Sequence, residues 1–175
     1  MKELTDIALM ELVRDGREDA FEEIVRRYQN VLLNFFLRKG VSYSDGQDLA
    51  QRTFLRIWRY RAKYQPQAKF TTFLFLLASQ ESVDFFRSVA RRAQMEENLA
   101  QETELGLNSP VRSADCGENV RRAVSKLPQG LRDVVELGVF QDLPYAQVGE
   151  ILGIPVGTVK SRMFNALRKL KELLK

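Results

Sequence analysis

The 175-residue sequence has no histidine and a single cysteine, Cys116. Without histidine the commonest general base and metal ligand are both missing, and one cysteine cannot close an internal disulfide. Zinc fingers, serine–histidine triads and haem sites are therefore excluded. Cys116 lies in a polar stretch, and no role follows for it. No apolar run approaches the roughly 20 residues that cross a bilayer. The opening residues, MKELTDIALMELVRDGRED, are acidic and carry no secretory apolar region. These absences predict a cytoplasmic chain with no membrane insertion. Glu22 and Glu23 are expected on polar helical faces, with no partnered base, metal cluster or glycine-rich phosphate loop. Neither an enzyme nor a cofactor is implied.

What is present is a folded composition, 45% hydrophobic and 29% charged, enough for one medium domain or two small ones. The net charge of +4 is unevenly spread. Residues 1–23 carry eight acids against three bases, whereas residues 52–69 hold Arg52, Arg56, Arg59, Arg61, Lys63 and Lys69 with no acid. Residues 155–175 hold six bases against Glu172. Two separated basic segments are either solvated helix faces or surfaces that attract phosphate.

Hydrophobic periodicity predicts helix throughout. Phe21, Ile24, Val25, Tyr28, Leu32, Phe35 and Phe36 follow helical spacing up to Gly40. A second helix starts after Ser44 and Asp45, either of which suits a cap, and places Ala50, Phe54, Ile57 and Trp58 on one stripe before Pro66. A third spans roughly 70–90 and ends in Arg87, Arg91 and Arg92. Residues 93–117 then hold five acids, one base and no apolar period, which predicts a flexible linker. It would average about 25–30 Å end to end and reach about 80 Å when extended.

Beyond the linker, Val120, Ala123, Val124 and Leu127 form one stripe, and Leu131, Val134 and Val135 belong to the next helix. The segment PYAQVGEILGIPVGTVKSRMFNALRKLKELL reads as a short helix, a turn at Gly153 and Ile154, and a long helix opened by Pro155. That is the layout of a helix-turn-helix, whose second helix enters the DNA major groove. Val156, Val159, Met163, Ala166, Leu170 and Leu173 are expected to pack inward. Thr158, Lys160, Ser161, Arg162, Asn165 and Arg168 are mostly outward, with Phe164 beside them. Lysine and arginine bond guanine edges or phosphate, asparagine reads adenine, and an aromatic ring meets a thymine methyl.

LPQGLRDVVEL followed by LPYAQVGEILGIPVGTVKSRMFNALRKL resembles region four of a bacterial sigma factor. AFEEIVRRYQNVLLNFF, DLAQRTFLRIW, KFTTFLFLLA and VDFFRSVARR resemble successive parts of region two, in order. With nothing resembling regions one or three, the pattern is similar to the extracytoplasmic-function (ECF) subgroup of the sigma-70 family. The resemblance implies an all-α fold of two small helical domains: region two at 1–92, an acidic linker at 93–117, and region four at 118–175.

It further implies a transcription initiation factor whose partners are core RNA polymerase, through the beta-prime clamp helices and beta flap, promoter DNA, and an anti-sigma factor. Core contacts would fall at Asp48, Leu49, Gln51, Arg52, Leu55 and Arg56. Melting and holding the minus-ten element would fall to Tyr64, Lys69, Thr71, Thr72, Gln80, Asp84, Arg87, Arg91 and Arg92. Melted bases call for stacking faces and polar pockets. Phe70, Phe73 and Phe75 read as core more readily than as stacking platforms. The minus-thirty-five element would meet Thr158, Lys160, Ser161, Arg162, Phe164, Asn165 and Arg168.

Several positions depart from the family pattern. Arg52 stands where an acid is usual, Phe73 for tryptophan, Gln80 for asparagine and Pro144 for serine, while Asn165 and Leu167 occupy positions more often arginine. These changes bear on promoter sequence. Two rivals are a sigma-like decoy that sequesters an anti-sigma factor and a conventional helix-turn-helix repressor. The retained bases at Arg87, Arg91, Arg92, Lys160 and Arg162 weigh against the first, and the DLAQRTFLRIW and KFTTFLFLLA matches against the second.

Overall fold

The computed structural model describes residues 3–65, 69–97 and 117–174. Pro66, Cys116 and most of the expected linker lie outside the described residues. Among those residues there are eight α-helices and no strand: α1 (Asp6–Arg14), α2 (Glu18–Arg38), α3 (Tyr43–Tyr60), α4 (Phe70–Glu97), α5 (Gly117–Ser125), α6 (Gln129–Val135), α7 (Tyr145–Leu152) and α8 (Val156–Leu173). A 3-10 turn follows α3 at Arg61–Lys63, and a π-helical segment, Glu136–Phe140, continues α6. None of these helices is long and apolar enough to cross a membrane.

The first four helices bury Leu9, Met10, Ile24, Phe35, Phe36, Ile57, Leu74 and Phe75. α1 is absent from the periodicity reading, because its nine residues present only Leu9, Met10 and Val13 to the core. The cap of α3 is Ser42 rather than Ser44 or Asp45: its Oγ accepts the Asp45 N–H at 3.2 Å and donates to Asp45 Oδ2 at 2.6 Å. The reciprocal bond starts the helix two residues earlier than composition suggests. α4 continues past residue 90 to Glu97, since the sequence offers no proline or glycine there to stop it.

The second half packs Val124, Leu127, Val134, Leu137, Val148, Val159, Met163 and Ala166. Gly138, inside the π-helical segment, lets Met163 approach, for a Cβ there would lie 2.8 Å from Met163 Cε. The two halves also pack together, α4 against α7 and the end of α2 against α5.

Candidate nucleic-acid interface

The helix-turn-helix is built from α7 and α8. Gly153 ends α7 with φ +65°, a left-handed conformation that favours glycine. Four residues earlier, Gly149 admits the Ile154 carbonyl, because a Cβ at that position would sit 2.8 Å from the oxygen. Pro155 then caps α8, its carbonyl accepting the N–H groups of Thr158 and Val159 at 2.9 and 3.1 Å. These constraints fix the angle at which the second helix leaves the turn.

Along α8, Val159, Met163, Ala166 and Leu170 are buried, whereas Lys160, Ser161, Phe164 and Arg168 are exposed. Phe164 is 68% exposed, a large apolar side chain standing among donors. Thr158, Arg162 and Asn165 are half-buried. Val156 and Leu173, expected inward, are exposed, because each lies at a helix end where the packed neighbours stop. Leu167, not assigned from sequence, extends the apolar patch beside Phe164. Arg162 lies against Gly130 and lines a cleft between the halves.

On α4 and its approach, Lys69, Gln80, Asp84, Arg87, Arg91 and Arg92 are exposed and Thr71 is half-buried. Two candidates are buried in this arrangement. Tyr64 is only 4% exposed and packs on Phe70 and Phe73, with ring centroids 6.3 and 5.5 Å away; burial pushes its phenol up. Thr72 is also buried, and its hydroxyl donates to Gln147 Oε1 of α7 at 2.8 Å. Neither side chain is presented to a strand in this arrangement. Phe70 and Phe75 are core, and Phe73 packs partly buried against it.

On α3, Asp48, Gln51, Arg52 and Leu55 are exposed, Leu55 at 57%. Leu49, at 1% exposure, lies in the core on the inward stripe with Thr53 and Ala50. Arg56 turns toward α4 and donates to Gln80 Oε1 at 2.7 Å and Glu81 Oε1 at 2.9 Å. The sequence reading missed Tyr43 and Gln47, which with Gln51 and Leu55 follow an every-fourth-residue ridge and border a groove of about 470 Å³ against Phe21 and Val25. That spacing was the available signal.

Glu23 is not the solvated acid expected from sequence. It is buried, with Arg26 and Arg27 donating to it at 2.6–3.0 Å. These guanidinium bonds hold its carboxyl down at about 2. Arg27 also reaches Asp6 at 2.9 Å, and the Tyr28 hydroxyl donates to Asp6, so the network ties α1 to α2.

Residues 24–92 match the family model for Sigma-70 region 2, and residues 117–170 match that for Sigma-70, region 4. The ECF RNA polymerase sigma-E factor of Haemophilus influenzae is 31% identical, over 94% of this chain and 93% of that protein. The ECF RNA polymerase sigma factor SigW of Bacillus subtilis is 27% identical, over 93% of both. Among solved structures, the sigma factor RpoE in complex with the anti-sigma factor NepR from Bartonella quintana gives a TM-score of 0.73 at 22% identity, covering 88% of this chain and 96% of that one. CnrH in complex with the cytosolic domain of CnrY gives 0.72 at 24%, covering 97% and 96%. These two share the fold. With both regions matched in order and a relative above 30% identity along nearly the whole length, the chain belongs to the ECF group of sigma-70 family RNA polymerase sigma factors.

Proposed function

We propose that this sigma factor binds core RNA polymerase through the exposed ridge of α3, holds the melted minus-ten strand along α4, and reads the minus-thirty-five element with α8. The observation that carries the reading is the outer face of α8, where Lys160, Ser161, Phe164 and Arg168 are exposed on a helix fixed by the Gly149–Gly153 turn. Phosphate and base-edge donors surround an apolar ring suited to a thymine methyl. The core-binding set is Asp48, Gln51, Arg52 and Leu55, with Arg56 linking it to α4. The minus-ten set is Lys69, Thr71, Gln80, Asp84, Arg87, Arg91 and Arg92. Thr158, Arg162 and Asn165 flank the minus-thirty-five face.

The division into region two at 1–92, a linker at 93–117 and region four at 118–175 belongs to the same proposal, as does a cytoplasmic location. The partners are the beta-prime clamp helices, the beta flap, promoter DNA and an anti-sigma factor; the last is supported by the anti-sigma factor seated on RpoE in its solved complex. No covalent step is required, because binding drives strand separation. The double charge reversal K160E/R162E tests the assignment. Gel-shift with the resulting holoenzyme should show promoter binding lost while co-elution with core is retained. Equal loss of both would show that the face is misassigned.

A further inference from the structure

Arg56 leaves α3, the helix proposed for core polymerase, and crosses to α4, the helix proposed for the melted strand. There its Nη1 donates to Glu81 Oε1 at 2.9 Å and its Nη2 donates to Gln80 Oε1 at 2.7 Å. The Arg56 side chain is largely covered, at 24% exposure, and that of Glu81 more so, at 12%. The guanidinium also lies 5.9 Å from the ring centroid of Tyr60, one turn further along α3. Ion pair, amide bond and ring together hold the planar group in one orientation.

That orientation decides how Gln80 is presented. A guanidinium carries five N–H donors and no acceptor, so only the oxygen of a side-chain amide can meet it. With Oε1 committed to Arg56, the other end of the Gln80 amide, Nε2, is directed away from the pair, and it is a donor only. A free glutamine turns its amide over and offers either oxygen or nitrogen. Gln80 does not have that choice. It is exposed and stands with Asp84 and Arg87 at i, i+4 and i+7 on one face of α4. Thymine and guanine carry a keto oxygen where cytosine and adenine carry an amino group. A fixed donor bonds the first kind and opposes the second.

We propose that Arg56 is a positioning residue that locks the Gln80 amide with its NH2 outward, so that one position of the minus-ten strand takes a keto base, thymine or guanine, in preference to adenine or cytosine. This role rests on the function proposed above, which places α4 along that strand. The Arg56–Glu81 pair alone would be an ordinary tie between two helices. What sets Arg56 apart is its second bond, made to an exposed amide on the strand-facing row.

The test uses holoenzyme assembled from purified core polymerase and the full chain. The probes are single-stranded minus-ten oligonucleotides carrying each of the four bases at every position in turn, at fixed salt. Wild type should prefer keto over amino bases about tenfold at one position, the scale of one hydrogen bond made or left unmade. Q80E keeps an oxygen for Arg56 but turns the outward group from donor to acceptor, so the preference there should reverse whatever the overall affinity. R56K keeps a donor against Oε1 and should retain the wild-type preference. R56M/E81M removes both members of the ion pair, leaving neither charge uncompensated, and should bring the preference at that position close to unity. Circular dichroism melts check that each variant is folded. A Q80E holoenzyme with the wild-type preference, or an R56M/E81M holoenzyme that keeps it, would overturn the positioning role, since a purely structural tie moves the melting temperature and not the choice of base. Failure of the wild-type holoenzyme to bind any of the oligonucleotides would instead overturn the assignment of α4 to the strand.

Discussion

Glu23 and Gly149 show how much depends on single positions that carry no chemistry of their own. The Glu23 carboxyl is held at about 2 by Arg26 and Arg27, against an ordinary 4.5. A carboxyl depressed in the folded state stabilises fully above its unfolded value, and that contribution is lost as pH falls from about 4.5 toward 2. E23Q should therefore lower thermal stability at pH 7, and the gap from wild type should narrow as pH is brought down through that window. A constant gap across pH would refute the assignment. At Gly149 the conflict is steric: the neighbour is the Ile154 backbone oxygen, which cannot swing away as a side chain would. G149A should cost about 1–3 kcal/mol in urea unfolding of the second half. An unchanged midpoint would mean that the turn relaxes freely.

At the scale of elements, α3 and α8 divide into inward and outward faces, and the outward faces differ in character. α8 offers bases around Phe164, whereas α3 offers a polar ridge with Tyr43 and Leu55 as its large apolar members. An exposed leucine contributes little to folding, so L55D should leave the unfolding free energy within about 0.5 kcal/mol of wild type. Its affinity for core polymerase should fall at least tenfold in a competition assay. Full retention of affinity would move the interface elsewhere.

The inner stripes of α2 and α8 and the helix-turn-helix could be read from spacing alone, because Ile24, Phe35 and Phe36, or Val159, Met163 and Ala166, recur at helical period. The family followed from ordered motifs. What could not be read was set by tertiary geometry. Tyr64 sits between exposed Lys63 and Gln65, and only its packing on Phe70 and Phe73 of α4 buries it, while Thr72 is covered by Gln147 of α7. The π-helical segment left no periodic mark, since five residues are too few to shift a pattern. Glu23 resembled any acid on a polar face until Arg26 and Arg27 closed on it.

At the scale of the whole molecule, two helical halves bearing different surfaces are joined through α2, α4, α6 and α7. A long acidic connection in the sequence suggested independent domains, yet the described residues form a closed arrangement around one cleft. The function proposed for the molecule as a whole is to confer promoter recognition on core polymerase. The most direct measurement is transcription from a randomised promoter library by purified core enzyme plus this protein, at fixed salt. The protein should co-elute with core, and transcripts should start downstream of a shared pair of motifs. Failure to associate with core, together with DNA binding by the protein alone, would contradict it.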